Sequence, residues 1–391
     1  MATQGFRLRA LPVPSGVGAL SVLMALKGAL DGSGPAVAPH AMNGPAQPLP
    51  ACLGHLPPDL VLTIGTSGST GRPKLAMLTA DALRASADAT HQRLGGPGQW
   101  LLALPAHHIA GIQVLVRSLV ADTTPISMDV MGGFAPAAFA QATKRIASGA
   151  RAYTALVPTQ LVRLLSSAEG RQALTQFSAV LLGGAATPAS LLAQARGFGV
   201  RVITTYGMSE TSGGCIYDGH ALDVSRVQLE DDGRIRLGGA TLARGYLGEP
   251  ELTAESFRED INGQVWFRTD DLGHLDEGAL VIDARIDDLI NTGGLKVSPL
   301  LVEAALVELD TITEAIVVGS PDVEWGQAVS AAVVVAQGSL APTLKDVRDQ
   351  LRGTVPDHAL PRRLATLPEL PVQGPGKPDR SAVRRLFSSN V

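Results

Sequence analysis

Apolar positions in this chain fall into short dense runs separated by longer stretches in which they recur at helical spacing. Leu60-Val61-Leu62-Thr63-Ile64, Leu101-Leu102-Ala103-Leu104, Ala179-Val180-Leu181-Leu182 and Val200-Arg201-Val202-Ile203-Thr204 have the length and aliphatic character of buried strands. Thr79 to Leu94, Pro158 to Ser166 and Pro188 to Arg196 carry helical patterns. Strands that alternate with helices predict an α/β fold with parallel-rich sheets. From about Gly233 the texture changes to short strands and turns: Arg234-Ile235-Arg236-Leu237, Gln264-Val265-Trp266-Phe267 and Ala279-Leu280-Val281-Ile282. That predicts a smaller β-rich subdomain. Residues 34–58, rich in Pro, Gly and Ala, read as an extended connector. The last hundred or so residues look separate, with a helix capped by Ser298 and opened by Pro299, then strands at Ala315-Ile316-Val317-Val318 and Ala328 to Val335. The polar pair Asp287-Asp288 is the expected boundary, dividing a large domain, 1–286, from a small α+β domain, 287–391.

A chain of 391 residues with 45% apolar content has room for two or three domains and a real core. Its formal charge of −4 argues against a nucleic-acid or anionic-membrane binder. Lys345 to Val391 nevertheless carries nine Lys/Arg against five Asp/Glu, a local excess that suits an anionic ligand or a solvated surface equally well. Cys52 and Cys215 are too few and too far apart for a disulfide framework or a metal cluster, so a reducing compartment is expected. Pro12, Pro14 and Lys27 interrupt the N-terminal apolar stretch, and no run reaches the roughly 20 apolar residues that span a bilayer. The expectation is a cytoplasmic protein with no membrane insertion.

Thr66-Ser67-Gly68-Ser69-Thr70-Gly71-Arg72-Pro73-Lys74 follows the first apolar run. Glycines let backbone N–H groups converge on phosphate oxygens, hydroxyls add neutral donors, and a lysine brings mobile positive charge. A flexible linker shares that composition but needs neither the strand in front nor the helix behind. Walker A spacing is absent, and Ser69 stands where a G-x-S-x-G elbow needs its second glycine, which removes the serine-hydrolase turn. Thr205-Tyr206-Gly207-Met208-Ser209-Glu210-Thr211 lies just beyond the strand expected to end near Thr204, where ligands collect in open α/β sheets. A ring, a hydroxyl and a carboxylate there suit a base, a phosphate and a magnesium ion, although an ordinary turn has the same residues. In Trp266-Phe267-Arg268-Thr269-Asp270-Asp271-Leu272-Gly273, with Ala284-Arg285-Ile286-Asp287-Asp288 after it, a carboxylate beside an arginine can take ribose hydroxyls or simply form surface ion pairs.

Together and in this order, over roughly 60–380, these segments resemble the adenylate-forming acyl-CoA synthetase superfamily. The resemblance implies that Thr66, Ser67, Gly68, Ser69, Thr70, Gly71 and Lys74 cradle the phosphates of ATP. It sets Tyr206 and Gly207 on one side of the adenine and the backbone of Gly184 and Ala185 on the other. Ser209 would contact phosphate, Glu210 would help hold Mg²⁺, and Asp271 with Arg285 would take the ribose. Asp287 falls on the hinge about which the C-terminal domain swings, and Gly293 and Gly294, in Asn291-Thr292-Gly293-Gly294-Leu295-Lys296-Val297, line the pantetheine tunnel of coenzyme A. Lys377, in the P-x-x-x-x-G-K-x-x-R segment Pro371 to Arg380, bridges the acid and the α-phosphate. One departure stands out: Asp270 replaces the glycine of R-T-G-D-L and puts an extra carboxylate near the nucleotide. The implied chemistry activates a carboxylate as its acyl-adenylate and passes it to a thiol, which requires no enzyme nucleophile.

The phosphate loop starts at residue 66, nearer the N-terminus than in most members, so an abbreviated N-terminal subdomain is expected. Compact members include the actinobacterial-type o-succinylbenzoate-CoA ligases of menaquinone biosynthesis. Leu104-Pro105-Ala106-His107-His108-Ile109-Ala110-Gly111, running on to Arg117, resembles their L-P-x-x-H-I-x-G segment and its downstream arginine. That implies His108 at the border of the acyl pocket and Arg117 on the carboxylate that does not react. From the residues alone, the histidine pair is as readily structural, and Arg117 could pair with an acid of the protein. The expected partners are a small-molecule carboxylic acid, ATP and coenzyme A, with no nucleic acid and with a homodimer left open. The alternatives are a ligase for another aryl or acyl acid, which needs no Arg117, and a free-standing adenylation module that loads a carrier protein.

Overall fold

A computed structural model describes residues 8–44, 49, 56–66, 74–128, 133–373 and 377–388. A four-stranded sheet comes first, β1 (Leu8–Val13), β2 (Ala36–Ala41), β3 (Leu60–Thr66) and β4 (Lys74–Thr79) in that order, with α1 (Leu23–Leu30) between its first two strands. Thus the expected connector at 34–58 contains a strand. β2 runs parallel to β1 over its length but meets β3 only at Val37 and Leu62, so Pro39, which has no N–H to donate, lies beyond the pairing with β3.

Helix α2 (Ala80–Leu94) is capped by the Thr79 hydroxyl, which accepts the Ala82 N–H, and ends at Gly95 in the left-handed region. It leads to a seven-stranded sheet made of β5 (Gln99–Leu102), β6 (Ile126–Ser127), β7 (Ala152–Leu156), β8 (Ala179–Leu182), β9 (Val202–Met208), β10 (Gly213–Tyr217) and β11 (His220–Ala221). From β6 through β5, β7 and β8 to β9 the pairing is parallel, and β10 and β11 add antiparallel. Alternate residues face opposite ways. Trp100, Leu102, Tyr153, Leu181 and Tyr217 enter the core shared with α2, α3 (Ile109–Val120) and the first sheet. Leu101, Leu156, Val180 and Leu182 pack instead against α4 (Pro136–Thr143), α5 (Pro158–Leu165), α6 (Ala168–Leu174) and α7 (Ala189–Gly197). A parallel sheet covered on both faces explains why its strands read as continuous apolar runs.

The β-rich subdomain holds β12 (Ser225–Leu229), β13 (Arg234–Gly239), β14 (Phe257–Glu259), β15 (Val265–Asp276) and β16 (Ala279–Arg285), all antiparallel, with α8 (Pro250–Ser256) before β14. After a 3-10 turn at Ile286–Asp288 comes a second α+β unit with its own core. It contains β17 (Ile290–Thr292), β18 (Leu295–Val297), α9 (Pro299–Val307), β19 (Ile312–Asp322), β20 (Gly326–Val335), α10 (Leu344–Leu351) and β21 (Arg363–Leu367). Ser298 caps α9 in extended backbone geometry with Pro299 at its first position, as expected, and its hydroxyl donates to the Asp283 carbonyl at 2.5 Å. The hairpin β22 (Val372–Gln373) with β23 (Lys377–Pro378), followed by α11 (Arg380–Ser388), ends the described chain.

Candidate active site

The phosphate segment is the connection of a hairpin, because Thr66 on β3 stands opposite Lys74 on β4. Ser67, Gly68, Ser69, Thr70 and Gly71 lie outside the described residues, as do Arg72 and Pro73. What the hairpin presents is Lys74, whose ammonium lies 5.5 Å from the centroid of the Tyr246 ring. Tyr246 runs alongside β4: Met77 N–H donates to Gly245 O (2.9 Å) and Leu247 N–H to Leu75 O (2.8 Å). Its hydroxyl donates to Glu210 Oε1 at 2.8 Å. Burial and the neighbouring Glu210 carboxylate push the Tyr246 phenol far above its ordinary range, so it stays a donor. The sequence reading missed Tyr246, although an aromatic after Gly245 in a turn-rich stretch was a faint signal.

Glu210 sits on a buried 3-10 turn, Ser209–Thr211, whose closure uses Thr211: its hydroxyl donates to Gly213 O (2.7 Å) and accepts the Met208 N–H (3.0 Å). Tyr206 and Gly207 do not lie beyond the strand, as expected from sequence, but within β9. The strand is longer than its parallel neighbours because β10 folds back on it, pairing Met208 with Gly213 and Gly207 with Gly214. Gly207 is required there, since a Cβ would lie 2.2 Å from Gly213 O. On the other flank, Leu182 pairs with Thr204, so the turn with Gly184 and Ala185 after β8 sits beside the Tyr206 strand.

Tyr206, Asp271 and Arg285 come together as a unit. The Tyr206 hydroxyl donates to Asp271 Oδ2 (2.6 Å), and Arg285 Nη1 donates to Asp271 Oδ1 (3.1 Å) from the residue directly opposite in the β15–β16 ladder. Burial, followed by Asp271, holds the Tyr206 phenol protonated. Arg285 also reaches Asp287 at 3.9 Å. The extra carboxylate, Asp270, does not crowd this group. Opposite β13 the ladder jumps from the pair Arg236–Arg268 to the pair Arg234–Leu272, a bulge in which Thr269 and Asp271 are buried while Asp270 stays partly exposed and pairs with Arg234. Arg234 also donates to Thr269 O at 2.5 Å, so it clamps the bulge from outside.

The acyl-side residues lie on and before α3. His108 is the N-cap residue, its ring 4.3 Å from that of His107, whose pKa is lowered by burial and then by nearby His40. Gly111 lets the first turn fold back tightly, because a Cβ would lie 2.2 Å from Pro105 O. One turn on, Gln113 donates to Ser212 O (2.6 Å), tying α3 to the residue after the Glu210 turn. One further turn along the same face, Arg117 is only 3% exposed, with no carboxylate partner among the described residues. It donates to the Tyr217 hydroxyl at 3.3 Å, lies 5.0 Å over the Trp100 ring, and leaves its Nε unsatisfied. Cys215 is fully buried, its thiol pushed up to about 12 by burial, which disqualifies it as a nucleophile.

Gly293 and Gly294 form the tip of the β17–β18 hairpin in the C-terminal unit, where Gly293 packs against Trp325. Lys377 lies on β23, opposite Gln373, and its side chain is outside the described residues. Just after it, Arg380 opens α11 and pairs with Glu303 and with Asp288 (3.2 Å), the residue after Asp287. Among the described residues no cluster of three or more His, Cys, Asp or Glu could hold a metal, and no helix is long and apolar enough to cross a membrane.

α3 is thus tied through Gln113 to the residue after the Glu210 turn and carries a buried guanidinium that has no carboxylate partner among the described residues. Residues 45–247 match the AMP-binding enzyme family and 301–377 match the AMP-binding enzyme C-terminal domain; the chain belongs to this family. It is 44% identical over 390 residues, covering 98% of this chain and 100% of the relative, to a protein of Mycobacterium tuberculosis named "Probable 2-succinylbenzoate–CoA ligase". A 2-succinylbenzoate–CoA ligase of a Geobacillus species is 29% identical over 356 residues, covering 85% of this chain and 70% of the relative. Among solved structures, the fold is shared with the o-succinylbenzoate CoA synthetase of Bacillus subtilis in complex with its acyl-adenylate intermediate, at a TM-score of 0.73 and 22% identity over 98% of this chain and 89% of that one.

Proposed function

We propose that this enzyme is an AMP-forming acid–thiol ligase that activates o-succinylbenzoate with ATP and transfers it to coenzyme A, a step of menaquinone biosynthesis, in the cytoplasm where ATP and coenzyme A are available. The observation that carries the choice of acid is Arg117, a buried guanidinium with no counter-ion among the described residues, on the helix next to the adenylate motif. A desolvated charge of this kind is costly unless a ligand completes it, and an aromatic dicarboxylate brings the missing anion.

The substrate's reacting carboxylate oxygen attacks the α-phosphorus of ATP and pyrophosphate leaves. The coenzyme A thiol, giving up its proton, then attacks the acyl carbon and AMP leaves. In the first half, Asp271, fixed from both sides by Tyr206 and Arg285, accepts the ribose hydroxyls. Tyr206 and the Gly184–Ala185 turn flank the base, and Ser209 faces phosphate. The loop from Thr66 to Lys74 takes the outer phosphates. Lys377 supplies positive charge between acid and α-phosphate, and His108 borders the acyl group. Magnesium fits the donor set, since this ion takes one or two carboxylates and completes its shell with phosphate and water, and Glu210 is a buried carboxylate oriented by Tyr246. When bound it neutralises charge on the phosphates. Asp287 is the pivot between domains 1–286 and 287–391, and Gly293 and Gly294 border the path of the thiol. A homodimer is compatible with this reading, and nothing in the chemistry requires one.

The test is to incubate purified protein with ATP, Mg²⁺ and coenzyme A plus o-succinylbenzoate, benzoate or a medium-chain fatty acid, and to follow AMP and acyl-CoA by mass spectrometry. Turnover confined to o-succinylbenzoate is expected. Equal turnover of benzoate or the fatty acid would point to another acyl-CoA ligase, and an acyl-adenylate that never reaches coenzyme A would point to a carrier-loading module.

A further inference from the structure

Among the described residues Arg117 is held by neutral groups alone, and the way they are wired makes each one a fixed acceptor or π face. Thr90 Oγ1 donates to Ser86 O (2.8 Å), so its contact with the Tyr217 hydroxyl (3.0 Å) must be accepted from Tyr217. With its single proton committed to Thr90, the Tyr217 oxygen offers only lone pairs to Arg117, 3.3 Å away. On the other side, Trp100 Nε1–H donates to His91 Nε2 (3.2 Å), which fixes the indole with its face under the guanidinium, 5.0 Å from the ring centroid. His91, as acceptor, is the neutral tautomer protonated at Nδ1, and burial followed by the nearby Arg117 charge keeps it neutral, its pKa lowered to about 4. Trp100 and Tyr217 are both fully buried, and Trp100 also stacks on Tyr153 at 5.1 Å. An Asp or Glu in any of these places would neutralise Arg117 and leave it nothing to offer a ligand. A purely apolar wall would leave the charge unsupported.

We infer that Trp100 and Tyr217 are specificity-determining positioning residues: they support the Arg117 charge without cancelling it, so that the substrate's second carboxylate becomes its counter-ion. This rests on the proposed substrate class and names the residues that enforce it. Neither residue touches the reacting atoms. Their effect belongs to discrimination between a dicarboxylate and the same acid lacking its aryl carboxylate. The guanidinium donates to Tyr217 from Nη2, and its other N–H groups, with no acceptor among the described residues, are what remains for that anion.

The experiment compares kcat/KM for o-succinylbenzoate with kcat/KM for 4-oxo-4-phenylbutanoate, which keeps the reacting arm and lacks the aryl carboxylate, in wild type, Trp100→Phe and Tyr217→Phe. Tyr217→Phe removes one oxygen and keeps the ring, so it supplies the result even if Trp100→Phe folds poorly. The expected result is a wild-type preference for the dicarboxylate that drops at least tenfold in each folded variant, through a raised KM for o-succinylbenzoate, with values for the monoacid unchanged within about twofold. A parallel fall for both acids would assign these residues a structural role and overturn the inference. A wild-type preference that survives both substitutions overturns the inference alone. A wild-type ratio near one overturns it together with the proposed substrate.

Discussion

Replacing Arg117 with Met should separate stability from function. The fold loses the cation–π contact with Trp100, worth about 2 kcal/mol when desolvated, and a long charged hydrogen bond to Tyr217, worth roughly 1.5 kcal/mol. It gains relief from an unsatisfied buried Nε, roughly 1–3 kcal/mol, and from holding a desolvated charge without a counter-ion, which costs several kcal/mol before compensation. The gains match or exceed the losses by up to a few kcal/mol, so the melting temperature should hold or rise by a few degrees. The substrate has no such compensation. Loss of a buried charge-assisted pair with its second carboxylate costs about 2–5 kcal/mol, or roughly thirtyfold to a few thousandfold in kcat/KM. Pyrophosphate release measured with o-succinylbenzoate and with 4-oxo-4-phenylbutanoate, beside a thermal melt, reads both quantities. A loss under tenfold for the dicarboxylate, or an equal loss for both acids, would refute the assignment of Arg117 to the substrate.

Tyr246→Phe removes the hydroxyl that holds Glu210, and a hydrogen bond to a charged group is worth about 1.5–3 kcal/mol, so half-saturating Mg²⁺ in pyrophosphate exchange should rise roughly tenfold or more; an unchanged Mg²⁺ titration would count against this role. Tyr206→Phe removes one hydrogen bond to Asp271 and should raise KM for ATP severalfold with little change in KM for the acid, as steady-state kinetics with each substrate varied will report. His91 is neutral in the fold with its pKa lowered to about 4, so below the unfolded value of 6.5 the unfolded chain binds the extra proton and stability falls as pH drops through that window, down to about 4; denaturation midpoints should show this slope, and His91→Gln should flatten it. Arg380→Met leaves Glu303, a side chain 15% exposed, with the Val317 N–H but without its cation and should destabilise by about 3 kcal/mol or somewhat less, with Glu303→Leu in the same chain recovering most of the loss in a denaturant titration.

Elements whose signal is local were legible. The helix opened by Pro299 starts where the Ser-Pro pair puts it, and β8 spans the residues of its apolar run. In the N-terminal sheet β3 was legible from its apolar run, but β1 and β2 were not, because Pro12 interrupts the first and Pro39 lies in a stretch that reads as a connector, and only the three-dimensional pairing shows both prolines inside strands. β9 was read as ending too early, since its last residues are held by the returning β10 rather than by an apolar pattern of their own. Among the candidate site residues, those belonging to a spaced motif were legible, and the structure brings Tyr206, Asp271 and Arg285 together, with Glu210 four residues along the same strand-to-turn segment as Tyr206. Those acting through them were missed, because their partners are remote in sequence: Tyr246 for Glu210, Arg234 for Asp270, Trp100 and Tyr217 for Arg117. The spread of β15 into a bulge opposite β13, which resolves the extra carboxylate, depends on ladder register and leaves no trace in composition.

The most direct measurement is acid-dependent exchange of labelled pyrophosphate into ATP without coenzyme A, followed by addition of the thiol. Exchange that requires o-succinylbenzoate and Mg²⁺, with acyl-CoA and AMP released in equal amounts once coenzyme A is added, is the expected result. Exchange that is absent with o-succinylbenzoate, or as fast with 4-oxo-4-phenylbutanoate, would contradict the assignment of the site to an aromatic dicarboxylate.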